Sequence, residues 1–154
     1  DLKREKICRA AALHDVGKIS ISDTILNKKG RLTDEEMEIM KTHTTKGYEI
    51  IKGFKLNDDE EQERYSLDIA KYHHERWDGR GYPEGLKGDE IPLWSQIVGI
   101  VDVYDALVSP RVYKKAFSHE KAMEMILAGE CGTFNPILLE CLKDAEELLK
   151  NEYK

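Results

Sequence analysis

Histidine and aspartate side chains recur along the chain at intervals of about one helix and one connection. A helical core requires such spacing if each helix is to direct a ligand inward to one shared site. A single histidine on an apolar helix face is usually a packed core residue. However, four of the five histidines in the chain belong to this series. We therefore predict one metal centre whose ligands are His14, Asp15, His43, His73, His74 and Asp102.

The segments that carry these side chains have helical patterns. Residues 2–14 place apolar residues on one helix face, and Thr33 with Glu36 forms a capping box that begins a helix ending near residue 52. Ser66 is interpreted as the cap of a helix that ends at the histidine pair. Further helices are predicted over 95–109, where length favours a helix over a buried strand, over 118–128, and from Pro136 to about 149. The predicted fold class is all-α, a helical bundle around the metal centre.

Charge and composition argue against several classes of partner. The net charge of −6 argues against a polymer of DNA or RNA, which needs a basic surface, but not against a small anion held by a few cations. No apolar run approaches the roughly 18–20 residues that span a bilayer, so no membrane contact is expected. Cys8, Cys131 and Cys141 match no zinc or redox spacing, and we interpret them as buried free thiols in a reducing cytoplasm. We interpret His119, beside the start of a predicted helix, as a surface residue.

Mixed imidazole and carboxylate ligands suit first-row divalent ions such as iron, manganese, nickel or zinc. Adjacent residues point roughly 100° apart on a helix, so His14 can serve one metal while Asp15 bridges to a second. Two such metals clamp a phosphate and lower the pKa of a bridging water, which favours phosphodiester hydrolysis. Three cations near the ligands in sequence could hold phosphate, although each alone could be an ordinary surface cation: Lys18, Arg111 and Lys114.

The segment HHERWDGRGYPEGLKGDEIP, residues 73–92, joins the histidine pair to a loop with four glycines and two prolines. Irregular segments longer than about 12–15 residues are uncommon in compact domains unless they bind something. Gly81 would let the backbone approach a flat ligand, Tyr82 offers a stacking face with a polar tip, and Pro83 stiffens the chain beyond it. An ordinary surface loop after a helix is the alternative. We refer to residues 75–92 as the glycine-rich loop.

Three motifs, HDVGK (14–18), HHERWDGRGYP (73–83) and VDVYDALVSPRVYK (101–114), closely resemble the HD-GYP family, a bacterial branch of the HD phosphohydrolases. The resemblance extends from about His14 to the FNP segment at 134–136. It implies an HD-domain-like bundle with two or three divalent metals, iron or manganese ahead of nickel or zinc. It also implies hydrolysis of cyclic di-GMP to linear pGpG and, in some members, to GMP. By their positions in these motifs, the six residues above are expected to bind the metals, and Asp15 and Lys18 are expected to act in catalysis. The residues expected to bind the substrate are Lys18, Gly81, Tyr82, Pro83, Arg111 and Lys114.

The resemblance also sets expectations for the rest of the protein. The family places a further histidine ligand, and in three-metal members a glutamate, on a helix upstream of the HD pair. The chain starts only 13 residues before His14 and without an initiator methionine, so 1–154 is expected to be a single domain that lacks this helix. The family's RPYK reads RVYK at 111–114, and its FDP-like segment reads FNP. A regulatory or sensor domain upstream, a homodimer and a cytoplasmic location are the remaining expectations.

Two functional classes stay open at this point. The first is a metal-dependent cyclic di-GMP phosphodiesterase. The second is a catalytically impaired domain that binds the nucleotide or a partner and signals without hydrolysis. The six retained ligands favour the enzyme, because a domain freed from catalysis has no physical need for them. A general phosphohydrolase acting on mononucleotides is a weaker third option, since the GYP motif argues against it.

Overall fold

The computed structural model describes residues 1–54, 59–110 and 115–152. These residues form nine α-helices and two short 3₁₀ turns, with no strand among them, so the predicted all-α class is confirmed. No helix in this part of the chain has the length and apolar character needed to cross a bilayer. The α-helices are α1 (Leu2–Ala11), α2 (Asp23–Leu26), α3 (Asp34–Lys41), α4 (His43–Phe54), α5 (Glu60–Tyr72), α6 (Leu93–Val108), α7 (His119–Leu127), α8 (Pro136–Asp144) and α9 (Glu146–Glu152); the 3₁₀ turns span Val16–Ser20 and Gly88–Glu90.

Side-chain caps set several of the helix boundaries. The predicted capping box is present at α3, where Thr33 Oγ1 accepts the Glu36 N–H at 3.2 Å and Glu36 Oε2 accepts the Thr33 N–H at 2.8 Å. Ser118 caps α7, and Asn135 caps α8, in whose first turn Pro136 lies as predicted. Local sequence signals therefore fix where these helices begin.

Ser66 is not a helix cap, so that prediction is wrong. Helix α5 begins six residues earlier in the acidic segment, where Asp59 accepts the N–H groups of Glu61 and Gln62, both at 3.1 Å. Ser66 lies buried within the helix, and its hydroxyl donates to the carbonyl of Gln62 at 3.0 Å. A serine can thus satisfy its hydroxyl one turn back, and its presence alone does not mark a helix start.

Two segments predicted as single helices are each divided. The segment from Thr33 to about residue 52 forms α3 and α4, which meet at Thr42. Its hydroxyl donates to the Ile39 carbonyl at 2.6 Å, a local bond of the kind that bends helices. The last predicted helix is divided into α8 and α9 at Ala145. The division at Thr42 places His43 at the start of its own helix.

The cysteines differ from the prediction in their exposure. None of the three forms a disulfide, as expected, but Cys8 and Cys141 are exposed and Cys131 is half-buried. Apolar neighbours in sequence indicate an amphipathic helix without fixing the side of that helix on which a given residue lies. The prediction of buried thiols is therefore wrong.

Helix α6 lies between two buried clusters of apolar side chains. The N-terminal cluster joins α1, α5 and α6 through Ala10, Tyr65, Ile69 and Val98. The C-terminal cluster joins α6 to α7 and α8 and consists of Ile100, Tyr104, Leu107, Ala122, Met123, Ile126, Phe134 and Leu142. Asp102, a predicted ligand, is therefore carried by the helix that both clusters hold in place.

Glycines allow the elements that carry the predicted ligands to approach each other closely. A Cβ atom at Gly17 would lie 1.8 Å from the carbonyl oxygen of His43, so the first 3₁₀ turn can contact α4 only without a side chain here. A Cβ atom at Gly99 would lie 2.5 Å from the carbonyl oxygen of His73, which brings α6 against the end of α5. These two contacts bring the ligand-bearing segments together.

Candidate metal centre

The six predicted ligand side chains converge on one region. Asp15 Oδ1 lies 3.3 Å from His43 Nε2 and 3.7 Å from His73 Nε2. His14 Nε2 lies 3.4 Å from Asp15 Oδ2 and 3.4 Å from Asp102 Oδ1. The rings of His73 and His74 are adjacent, with centroids 4.1 Å apart. Four segments distant in sequence thus contribute to one cluster.

The potential ligand atoms form two overlapping groups, within each of which all atoms lie within 4.8 Å of one another. One group consists of Asp15, His43, His73 and His74, and the other of His14, His73 and Asp102. His73 belongs to both groups. Because imidazole and carboxylate donors suit transition metals, the arrangement fits a pair of divalent ions held side by side.

Three of the histidines are held in one tautomer. In each, Nδ1 lies within hydrogen-bond distance of a backbone carbonyl oxygen, which can only accept, so Nδ1 carries the proton. In the neutral imidazole the Nε2 lone pair is then directed to the centre, as metal-binding histidines require. The Nδ1 distances are 2.7 Å in His14 to Ala11, 2.8 Å in His43 to Met40 and 2.8 Å in His73 to Ile69.

Three buried atoms of the cluster lack a hydrogen-bond partner among the described residues: Asp15 Oδ1, His43 Nε2 and His73 Nε2. Buried polar atoms are normally paired, because an unpaired one carries the full cost of its desolvation. The three atoms face each other, and each is a common donor to transition metals. A bound cation would satisfy all of them, so the residues present fit a metal.

The electrostatics of the cluster depend on Asp15. Burial alone would raise the pKa of its carboxyl, but the side-chain nitrogens of His14, His43, His73 and Lys18, which surround the carboxylate, together lower that pKa far below its ordinary value. Lys18 Nζ lies 2.5 Å from Asp15 Oδ2, so the predicted catalytic lysine is at the centre. Asp102 and then Asp15 raise the pKa of His14 to about 10. Two carboxylates are therefore ionised at neutral pH and available to a cation.

The glycine-rich loop folds back onto the histidine pair. The ring of Tyr82 stacks on His74, with centroids 4.8 Å apart and planes inclined by 16°. The Tyr82 N–H donates to the carbonyl of His74 at 3.3 Å. A Cβ atom at Gly81 would lie 2.4 Å from that same carbonyl oxygen, so only glycine allows this approach. Pro83 lies beside Tyr82 in a shallow depression bordered by Lys41.

Glu75, which the sequence analysis did not single out, holds this loop in place. Its carboxylate is buried and accepts three backbone N–H groups, from Glu84 at 2.7 Å, Gly85 at 3.2 Å and Leu86 at 2.9 Å. A loop rich in glycine has few side chains of its own that can accept its backbone N–H groups. The sequence signal for Glu75 was therefore a carboxylate next to a glycine-rich segment. Glu75 therefore joins the glycine-rich loop to the end of the helix that carries His73.

Arg76, also missed, holds the loop between α7 and α8. Its Nη1 donates to the carbonyls of His73 at 3.2 Å and Glu75 at 2.9 Å. The guanidinium lies 5.1 Å from the ring centroid of Phe134, and a Cβ atom at Gly132 would lie 2.8 Å from the arginine side chain. The residues directly after the histidine pair thus fix two neighbouring loops.

Two further predictions concern residues outside this cluster. His119 is not a surface residue, since its side chain is only 9% exposed. Its Nδ1 lies 2.7 Å from the hydroxyl of Tyr104, and its Nε2 lies 3.3 Å from Glu146 Oε1. Arg111 and Lys114 lie outside the described residues, and their role in phosphate binding stays a prediction.

Comparison with known proteins places the chain in a family. Residues 1–135 match the family model described as HD domain. A cyclic di-GMP phosphodiesterase of Vibrio cholerae is 43% identical over 152 residues, which cover 93% of this chain and 29% of the relative. A cyclic di-GMP phosphodiesterase response regulator of Xanthomonas campestris is 44% identical, with coverage of 86% and 34%. A 3′3′-cGAMP-specific phosphodiesterase of Vibrio cholerae is 41% identical, with coverage of 90% and 26%.

The chain spans about a third or less of the length of these three relatives. The match to the HD domain model covers most of the chain, including His14, Asp15 and the glycine-rich loop. The cyclic di-GMP phosphodiesterases align with it over nearly the whole of its length. The chain therefore belongs to the HD domain family and, within it, to the HD-GYP group.

Proposed function

We propose that this domain is a metal-dependent phosphodiesterase that hydrolyses cyclic di-GMP to linear pGpG. The observation that carries the proposal is the pair of overlapping ligand groups, with three unpaired buried donor atoms facing one another. Relatives named as cyclic di-GMP phosphodiesterases support the choice of substrate. In the reaction, a water oxygen bonds to phosphorus, the bond from phosphorus to the 3′ oxygen breaks, and that oxygen takes a proton. A second cleavage of pGpG would give GMP.

The proposed ligands are His14, Asp15, His43, His73, His74 and Asp102, for two or three ions in the complete protein, with iron or manganese preferred to nickel or zinc. Such ions, when bound, lower the pKa of a bound water and stabilise charge on phosphoryl oxygens. The Nδ1 hydrogen bonds to backbone carbonyls keep the three Nε2 atoms directed at the ions. Asp15 belongs to the first ligand group, and its second oxygen, Oδ2, lies 3.4 Å from His14 Nε2 of the other group, so its carboxylate could serve both.

The proposed substrate contacts come from cations and from the glycine-rich loop. Lys18 holds Asp15 and, with 39% of its side chain exposed, can also reach a phosphate oxygen. Tyr82 keeps its hydroxyl protonated at neutral pH because burial raises its pKa, so it can donate to the ligand. Gly81 and Pro83 shape the backbone beside it. Arg111 and Lys114 are proposed to bind phosphate oxygens by charge-assisted hydrogen bonds.

Turnover with defined metals tests the proposal. The full-length protein is loaded with manganese or with iron(II) under reducing conditions, incubated with cyclic di-GMP, and the products are separated by chromatography. We expect pGpG from the loaded protein and none from Asp15→Asn. Binding of cyclic di-GMP by the loaded protein without cleavage would instead favour the second class, a signalling module without catalysis.

We propose that the domain works within a longer cytoplasmic protein under the control of a regulatory or sensor domain. Support comes from the relatives, which are about three times as long and include a response regulator. The absence of a disulfide among the described residues suits a reducing compartment. A homodimer is the assembly that we propose to test first, by light scattering.

A further inference from the structure

A cleft of about 330 Å³ lies between the glycine-rich loop and the loop that joins α7 to α8. Two of its wall residues, His74 and Tyr82, also belong to the candidate metal centre, so the cleft and the centre share a border. The rest of the wall has three glycine positions, Gly81 among them, and combines polar with apolar surface. It includes Asp78, Arg80, Gly129, Gly132 and Thr133. A ligand whose phosphate lies at the metals could extend another part of itself into this cleft.

The two arginines of the cleft differ in what they can offer a ligand. Arg76 is committed to the protein, since its Nη1 donates to the carbonyls of His73 and Glu75. Arg80 is 89% exposed, and its charged neighbour among the described residues is Asp78, whose Oδ2 lies 3.9 Å from Nε. That distance is too long for a hydrogen bond. The planar donor fork of Arg80 is therefore available to a ligand.

Asp78 fixes the surroundings of this arginine. Its Oδ1 accepts the backbone N–H of Arg80 at 3.1 Å, and its Oδ2 accepts the hydroxyl of Thr133 at 3.1 Å. The N–H of Trp77 donates to the carbonyl of Thr133 at 2.9 Å, so the two loops are joined at this point. The backbone that carries Arg80 is thus held in position although its side chain is exposed.

The chemistry of a guanidinium fork matches one purine better than the other. Guanine presents two acceptors, O6 and N7, on one edge, and a guanidinium can donate to both at once. Adenine has an amino donor in place of O6. The same arginine would therefore lose one hydrogen bond, and one of its N–H groups would face the N–H of the adenine amino group. We propose that the cleft binds one guanine base of the cyclic dinucleotide, with Arg80 donating to O6 and N7. This inference rests on the proposed function and adds base selectivity to it.

Cyclic GMP-AMP with two 3′–5′ bonds allows a test that loop stability alone would not affect. Its two phosphodiester bonds differ in which nucleoside releases its 3′ oxygen. If guanine must occupy the cleft, only one bond is presented to the metals. We expect the metal-loaded wild-type protein to form one of the two possible linear dinucleotides in about tenfold excess or more over the other. Arg80→Ala should form a nearly equal mixture, Arg80→Lys an intermediate one, and Arg4→Ala, an exposed arginine of α1, should match the wild type.

An unchanged product ratio in Arg80→Ala would overturn the inference. So would an equal loss of turnover on every substrate at a constant ratio, which would make Arg80 a phosphate contact. A binding measurement separates this inference from the proposed function. Calorimetry on the metal-loaded protein, with cleavage-resistant phosphorothioate analogues of the two ligands, should show about a tenfold to hundredfold preference for the cyclic di-GMP analogue over the cyclic di-AMP analogue, which falls towards one in Arg80→Ala. Absence of turnover by the wild type counts against the proposed function alone, whereas equal binding of the two ligands by the wild type overturns guanine recognition.

Discussion

The backbone of Gly17 lies so close to that of His43 that a Cβ atom added to the glycine would stand 1.8 Å from the histidine carbonyl oxygen. The same atom would lie 2.5 Å from the backbone nitrogen of Gly47. Backbone atoms cannot move aside as the end of a flexible side chain can. The contact therefore fixes the position of the 3₁₀ turn relative to α4. It thereby fixes the distance between the two predicted ligands Asp15 and His43.

Replacement of Gly17 by alanine should destabilise the fold by about 1–3 kcal/mol or more, because the turn and α4 must separate. Urea unfolding measures the change. Gly53→Ala is the matched control, since Gly53 lies on α4, the helix that Gly17 contacts, and a Cβ atom there would meet nothing within 4 Å. It should stabilise the protein by about 0.5–1 kcal/mol through helix propensity. Equal stability of Gly17→Ala and the wild type would contradict the close approach.

Glu75→Ala should cost at least about 2 kcal/mol of stability, because three backbone N–H groups of the glycine-rich loop lose their buried acceptor. Protease cleavage within residues 84–92 should become faster, which thermal unfolding alone would not reveal. Glu140→Ala provides the control, since its ion pair with Lys143 is on the surface and 71% of its side chain is exposed. If cleavage of the loop is unchanged in Glu75→Ala, the proposed anchoring role is wrong.

Added manganese should raise the melting temperature of the wild-type protein but not that of His43→Ala. An ion that binds only the folded state stabilises it by about 2.7 kcal/mol at a hundred times its dissociation constant. Differential scanning calorimetry with and without a chelator measures the effect. His119→Ala should be less stable, because the contacts of this ring with Tyr104 and Glu146 are lost, yet it should keep the full shift with metal. A full metal shift in His43→Ala would remove His43 from the ligand set.

Metal binding should release protons at neutral pH. In the metal-free protein Asp102 and Asp15 raise the pKa of His14 from 6.5 to about 10, so its imidazole is protonated at pH 7 and must lose that proton to bind a metal. Affinity should rise by about tenfold per pH unit for each proton released, below that pKa. Titrations in buffers of different ionisation enthalpy count the protons. Heats that do not depend on the buffer would show that no protonated His14 gives up its proton to the metal.

Arg111→Ala and Lys114→Ala should each weaken cyclic di-GMP binding by about 1.5–3 kcal/mol and leave the metal content unchanged, since each would lose a charge-assisted bond to phosphate. Calorimetry measures the affinity, and elemental analysis measures the metal. Lys115→Ala tests charge alone, because Lys115 is exposed and next in sequence. If Arg111→Ala and Lys114→Ala bind cyclic di-GMP as tightly as Lys115→Ala and the wild-type protein do, both residues are excluded from the substrate site.

Helical periodicity and capping signals predicted the all-α class, and the spacing of histidines and aspartates predicted the convergence of six side chains, since a periodic apolar face tells which residues a helix directs inward. Sequence periodicity does not tell which distant side chain lies opposite. His119 is buried by Tyr104 and Glu146, residues of two other helices, and a helix-start pattern cannot reveal that contact. The role of Glu75 likewise depends on the path of a loop up to 11 residues further along the chain. Contacts made by tertiary folding, rather than by local pattern, account for these misses.

Helix α6 supplies Val98 to one buried cluster and Ile100, Tyr104 and Leu107 to the other. Neither cluster can lose this helix while the other keeps it, so the two halves should melt in a single cooperative transition. The amide hydrogens in the middle of α6 should then exchange with solvent only when the whole domain opens. A cation bound beside Asp102 would slow that global opening and thereby protect α7 and α8, which carry none of the predicted ligands. Hydrogen exchange in the C-terminal helices would thus report metal binding in the N-terminal half.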